Sequence, residues 1–139
     1  MEDISLHILD VVENSIRARS SNVKIRLSED RAEDLLTLEI IDDGEGMDET
    51  SRMKCLDPFY TTKTGKEVGL GLAFLGQSAE EAGGTLIIES EKGRGTRIVA
   101  TYRLSHIDRR PFGDLDETVS CLRLTHPEVN IFYEYLNKG

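Results

Sequence analysis

The feature that most constrains the fold is a change of period near the start of the chain. Ile4, Ile8, Val11, Val12 and Ile16 recur at the spacing of an amphipathic helix, and Val23, Ile25 and Leu27 then alternate with Lys24, Arg26 and Ser28 as in a half-buried strand. A helix with one apolar stripe and a strand with one apolar face bury them against each other, which commits the chain to helices layered on a sheet. The spacing predicts a helix from about Ile4 to Arg19. A polar turn, Glu29 to Asp34, separates the first strand from a second, Leu35 to Ile41, and the short connection predicts an antiparallel pair.

No strong periodicity returns between Met47 and Val68, a connection longer than compact domains use except for lids and binding loops. Gly69-Leu70-Gly71 opens an apolar segment, Leu72 to Ala82, predicted to be a second helix capped at Gly83-Gly84. Thr85 to Glu89 and Thr96 to Leu104 are β-rich and flank the turn Glu91-Lys92-Gly93-Arg94-Gly95, which predicts a hairpin. After the interruption at Asp108-Arg109-Arg110-Pro111, a helix over Leu115 to Leu124 and a strand over Val129 to Leu136 are expected. The expected fold class is α+β, a two-layer α/β sandwich with helices on one face of a mixed, mostly antiparallel sheet. Residues 1–104 form the expected domain, and 105–139 a C-terminal helix-strand appendage packed on it.

A chain of 139 residues, 38% hydrophobic and 31% charged, is long enough to build one core without disulfides or a structural metal. Cys55 and Cys121 are widely separated, so disulfide-scaffold and zinc-ribbon readings have no support. With no apolar run of membrane-spanning length and with Glu2 and Asp3 at the N-terminus, neither a membrane span nor a secretory signal is expected, and the cytoplasm is the expected compartment. The net charge of -9 argues against nucleic acid and anionic membranes as partners. Its distribution is uneven. The acids crowd between Glu29 and Glu49, whereas Arg52, Lys54, Lys63 and Lys66 form a basic stretch that could face a small anionic ligand.

Four segments carry candidate chemistry. On the first helix Asp10, Asn14 and Arg17 fall on one polar ridge, and the amide oxygen of Asn14 suits Mg²⁺, an ion held by few protein oxygens plus phosphates and water. Asp42-Asp43-Gly44-Glu45-Gly46 ends an apolar strand, where a carboxylate can accept from an exocyclic amine and the glycines let a flat ligand approach the backbone. Gly69-Leu70-Gly71 precedes a helix, whose N-terminus is a phosphate seat. Asp57-Pro58-Phe59-Tyr60-Thr61-Thr62-Lys63 combines an aromatic anchor with a lysine able to reach a phosphate. Taken singly, each also reads as ordinary structure: a solvated helix face, an Asp-Gly turn, a glycine entering a helix, a surface loop with one buried aromatic.

Taken in order, the four segments resemble the ATP-binding domain of the GHKL superfamily, which includes histidine kinases, DNA gyrase, a heat-shock chaperone, mismatch-repair ATPases and anti-sigma-factor serine kinases. Asp10 to Arg17 resembles its N box, Asp42 to Met47 its G1 box, Asp57 to Lys63 its F box and Gly69 to Leu72 its G2 box, with Gly95-Thr96 similar to the pair that closes the adenine pocket. The resemblance spans about residues 4 to 104. It implies that Asn14 binds Mg²⁺ on the phosphates, Asp42 accepts from adenine N6 and Thr96 supports that contact. It further implies that Gly69 and Gly71 hold phosphate, with Lys63 closing over its end and Arg17 near it, and that Gly44, Gly46, Met47, Phe59, Leu70 and Leu72 complete an ATP site. Asp10 stands where the hydrolysing and serine-kinase members carry a glutamate as general base; it is one methylene shorter, a departure that counts against hydrolysis. Glu13 points away from Asn14 and is read as structural, and Asp43 as facing away from adenine.

None of His7, His106 and His126 resembles the family's phosphoacceptor motif, and all three are read as ordinary surface, so any phosphoacceptor is expected on a separate protein. The expected function is a stand-alone, Mg²⁺-dependent ATP-binding kinase or switch, resembling either histidine kinases or anti-sigma-factor serine kinases. The alternatives are a non-catalytic ATP sensor whose lid orders on binding, and a slow ATPase. The expected partners are an adenine nucleotide and a protein, with room for a homodimer.

Overall fold

The structure, a computed structural model, describes residues 4–46, 71–106 and 115–137. The apolar stripe of the N-terminal segment becomes the buried face of helix α1 (Ile4–Arg17), with Ile8, Val11 and Val12 inside. The helix stops two residues short of the expected Arg19 because Arg19 turns left-handed, with φ of 65°. The Arg19 N–H returns to the Ile16 carbonyl and the Ser20 N–H to the Ser15 carbonyl, the paired bonds that close a helix in a Schellman motif. Helix α2 (Gly71–Glu81) closes the same way around Gly83, as its glycine predicts.

Strands β1 (Asn22–Asp30) and β2 (Leu35–Asp42) pair antiparallel, as do β3 (Leu86–Glu91) and β4 (Gly95–Arg103). A 3-10 turn, Leu104–His106, follows β4, and helix α3 (Leu115–Thr125) and strand β5 (Asn130–Asn137) complete the described elements. The sheet order is β3-β4-β2-β1-β5, antiparallel throughout except for the parallel β1–β5 edge. The fold is therefore the α+β arrangement expected, a mixed, mostly antiparallel sheet with helices packed on one side.

Cross-strand register aligns the inner face. Ile25, Ile40, Ile98 and Ile88 form one row, and Leu27, Leu38 and Ala100 the next. These residues are buried in one cluster with Ile8, Val11 and Val12 of α1, Leu72, Leu75 and Ala79 of α2, and Leu115, Val119 and Leu122 of α3. The C-terminal segment thus shares the core of the rest.

Two polar ties reinforce it. His126 Nε2 lies 2.9 Å from Glu13 Oε1 on α1, so this histidine, read from sequence as ordinary surface, is a half-buried partner of Glu13. Asn130 Nδ2 donates to Asn22 Oδ1 at 3.1 Å. On the outer face charge meets charge: Glu39, only 8% exposed, is gripped by Arg97 at 2.6 Å and Arg26 at 3.3 Å. No helix among the described residues is long and apolar enough to cross a membrane.

Leu38 is fully buried at the centre of this cluster, whereas Leu124 is 82% exposed on α3. Leu38→Ala is expected to cost about 2–5 kcal/mol of unfolding free energy and Leu124→Ala less than about 0.5, measured by urea denaturation.

Candidate functional site

At one end of the inner face the apolar rows give way to polar residues. The register that places Ile40 beside Ile98 also sets Asp42 opposite Thr96, and Thr96 opposite Ser90, across three strands. Asp42 is 8% exposed, and a carboxylate so deep must be hydrogen-bonded. Ser15 on α1 donates its Oγ–H to Asp42 Oδ2 at 2.7 Å, and the Gly44 N–H donates to Oδ1 at 3.0 Å. These bonds fill two of a carboxylate's roughly four lone-pair positions and fix its plane. What remains can only accept.

Close packing of backbone behind Asp42 explains the glycines. Gly46 and Gly95 both have positive φ, 72° and 92°. A Cβ on Gly46 would come within 2.1 Å of the Glu91 carbonyl oxygen, and one on Gly95 within 2.1 Å of the Asp42 carbonyl oxygen. The stretch after β2 and the β3–β4 turn are therefore locked together, with the Gly93 N–H donating to the Glu45 carbonyl. Gly44 is also buried, where a Cβ would meet the Ala18 carbonyl oxygen and Ser20 Oγ at 2.7 Å.

Asp43 faces the other way. Its carboxylate accepts from the Ser21 N–H at 2.8 Å, the Asn22 N–H at 2.9 Å and Asn22 Nδ2 at 2.8 Å, tying the end of β2 to the start of β1. These donors, foremost the Asn22 backbone N–H, hold its carboxyl below the ordinary carboxylate value.

On α1, Asn14 is adjacent to Ser15. Its Nδ2 is buried and has no hydrogen-bond partner among the described residues, and its Oδ1 accepts from Arg17 Nη1 at 3.5 Å, the outer limit of such a bond. The unpartnered Nδ2 is a donor that suits an acceptor such as a phosphate oxygen, and the long Arg17 contact leaves Oδ1 with a lone pair to give. Among the described residues no cluster of three His, Cys, Asp or Glu side chains could hold a metal, so an ion here would take Asn14 plus ligand and water oxygens, the habit of Mg²⁺. The residues fit that ion. Asp10 is half-buried one turn before Asn14, and Arg17 is exposed one turn after it.

An open hollow of about 610 Å³ wraps this end of the sheet, lined by Asp42, Ile88, Ser90, Gly95 and Thr96, by the Arg94 side of the hairpin, and by Ile41, Glu89 and Arg97 of the outer face. Thr96 is bonded to Ser90 at 2.8 Å between hydroxyl oxygens. Gly71 and Leu72 form the first residues of α2, with Leu72 buried in the core. Met47, Phe59, Lys63, Gly69 and Leu70, expected in the site, lie outside the described residues.

Two residues were missed by sequence reasoning. Ser15 carries a readable signal, a hydroxyl on the buried side of an otherwise apolar helix stripe, which demands a partner. Ser90 carries none, because its role depends on the pairing of β3 with β4.

Residues 2–106 match the family described as Histidine kinase-, DNA gyrase B-, and HSP90-like ATPase. The chain is 40% identical over 81 residues to the Nitrogen regulation protein NtrY of Azorhizobium caulinodans, covering 58% of this chain and 10% of that protein. It is 36% identical over 111 residues to the Sensor protein kinase FleS of Pseudomonas aeruginosa, covering 79% and 27%, and 31% identical over 98 residues to Sporulation kinase D of Bacillus subtilis, covering 70% and 19%. The matched region is thus about a tenth to a quarter of the length of these relatives. The Aquifex aeolicus MutL ATPase domain, solved with ADP, shares the fold with a TM-score of 0.56 at 16% identity over 96% of this chain and 60% of its own. The N-terminal domain of a DNA repair protein does so at 0.62 and 15% identity, over 99% and 50%.

The Asp43 bonds give a pH-dependent test. Because its folded-state pKa is lowered, its contribution is complete above the ordinary value of 3.8 and is lost as pH falls from there through the lowered value. Asp43→Ala is expected to melt about 3 °C below the wild type at pH 7, with the gap closing below that ordinary value, followed by circular dichroism.

Proposed function

The chain belongs to the histidine kinase-, DNA gyrase B- and HSP90-like ATPase family, and on that premise we propose that it is a Mg²⁺-dependent ATP-binding module that phosphorylates or switches a separate protein partner in the cytoplasm. The observation that carries the reading is the acceptor-only face of Asp42, held by Ser15 and Gly44 and opening beside Thr96 onto the hollow. Such a face takes a base that presents an amino group, which favours adenine.

Asn14 would hold Mg²⁺ through its amide oxygen, and the ion when bound would neutralise phosphate charge. Arg17 and Lys63 would place further positive charge about the triphosphate, Gly69 and Gly71 would offer backbone N–H groups to it, and Met47, Phe59 and Leu70 would line or close the pocket. Asp10 would be the group placed to receive a proton from an attacking hydroxyl, water or imidazole. Its short side chain counts against free hydrolysis and would serve transfer only to a partner that approaches closely. The kinase names of the relatives support the same direction, toward a histidine-kinase-like role, with an anti-sigma-factor-like role as its variant.

A second reading is a non-catalytic ATP sensor, in which nucleotide binding changes a protein-binding surface, alone or as a homodimer. The departure at Asp10 favours it.

Titration calorimetry with ATP and Mg²⁺ is expected to show one site. Asp42→Asn should weaken it by about 10- to 100-fold through loss of a charge-assisted bond, and Asn14→Ala by a similar factor with Mg²⁺ present but less without it. With γ-labelled ATP, label is expected on a protein captured by pull-down, little appears as free phosphate, and Asp10→Asn stops the transfer. Tight ATP binding with no transfer, and no effect of Asp10→Asn on partner capture, selects the sensor instead.

A further inference from the structure

We infer that Ser90 is a specificity-determining residue, one that sets the hydrogen-bond polarity of Thr96 and so makes the base end of the hollow accept only; this rests on the adenine reading of the pocket. Ser90 stands opposite Thr96 on the inner face, and both line the same hollow as Asp42. Its Oγ lies 3.0 Å from the Gly95 carbonyl oxygen and 2.8 Å from Thr96 Oγ1.

A proton count assigns the directions. A serine hydroxyl has one hydrogen and a carbonyl oxygen has none, so the Ser90–Gly95 bond exists only if Ser90 donates. The shorter bond to Thr96 must then take its hydrogen from Thr96. With that hydrogen turned inward to Ser90, Thr96 shows the hollow only lone pairs.

Asp42 is in the same condition, since a carboxylate brings no hydrogen and its two fixed donors, Ser15 and Gly44, come from the protein side. The end of the hollow therefore presents two neighbouring acceptors from adjacent strands and no hydroxyl hydrogen between them. A 6-amino purine supplies two hydrogens on one nitrogen, one for each acceptor or for a water between. A 6-oxo purine turns the 6-position into an acceptor facing acceptors and carries its hydrogen one ring atom away, on N1, so with the base held in the same pose the two acceptors at the 6-position are left unpaired and it is disfavoured. Discrimination against 6-oxo purines thus depends on a side chain that need not touch the base.

The experiment compares ATP with inosine triphosphate, which differ in the 6-amino group against a 6-oxo group, by calorimetry on the full chain with Mg²⁺. Wild type should prefer ATP by about 30-fold or more. In Ser90→Ala the Thr96 hydrogen is free to turn outward and meet a 6-oxo group, and the preference should fall about tenfold, chiefly through tighter inosine triphosphate binding. Ser90→Thr, which keeps the hydroxyl, should restore the wild-type ratio. If the alanine variant fails to fold by circular dichroism, Ser90→Cys replaces the strong donor with a weak one and should lower the ratio likewise.

A purely structural Ser90 would weaken both nucleotides in equal proportion, and an unchanged ratio in folded Ser90→Ala or Ser90→Cys overturns the inference while leaving the adenine site standing. Wild-type protein that binds neither nucleotide overturns the adenine reading itself. Wild type that binds both equally overturns the claim of an accept-only end.

Discussion

The structure depends on one buried bond, from the hydroxyl of Ser15 to the carboxylate of Asp42. It joins the first helix to the central strand of the sheet across the layer boundary, in surroundings where an unpaired carboxylate would be costly. Because Ser15 follows Asn14 in sequence, the same bond sets the position of the Asn14 amide relative to the end of β2. Because strand side chains alternate, a one-residue slip of β2 would turn Asp42 to the outer face together with Leu38 and Ile40. The apolar core and the polar end therefore specify the same register.

Backbone packing around Asp42 continues this constraint. Gly46 and Gly95 let the segment after β2 and the β3–β4 turn approach to distances no side chain would allow, and Asp43 fastens the opposite side to the start of β1. Asn22 then links Asp43 to Asn130 of the C-terminal strand, while Glu13, the neighbour of Asn14, is held by His126. The C-terminal segment thus braces both α1 and β2 from behind.

A fold of this kind hosts histidine kinases and the MutL ATPase domain alike, so architecture alone selects no reaction. What narrows the reading is the chemistry at the sheet end, where a buried carboxylate stands beside a threonine hydroxyl bonded to Ser90 and the Asn14 amide on the adjoining helix has a nitrogen without a partner among the described residues. Acceptors select a base with an amino group, and a neutral amide oxygen is a ligand for a hard cation. Asp10, in place of a longer acid, is the point at which transfer and sensing part.

The sequence by itself determined the elements, their order and most of the inner face, because periods of 3.6 and 2 are local properties of which face is buried. It also singled out Asn14 and Asp42, since each sits in a short stretch whose residue types carry chemistry, and Thr96 through the resemblance of Gly95-Thr96 to a family motif. Tertiary structure alone decided that β5 runs parallel beside β1, that His126 meets Glu13, that Ser15 meets Asp42 and that Ser90 meets Thr96. These contacts join residues far apart in the chain, and a serine shows no sign of its partner until the helix is laid on the sheet and the strands are in register. The left-handed end of α1 at Arg19 belongs with them, for it was closed by backbone bonds without the glycine that marks such a turn in sequence.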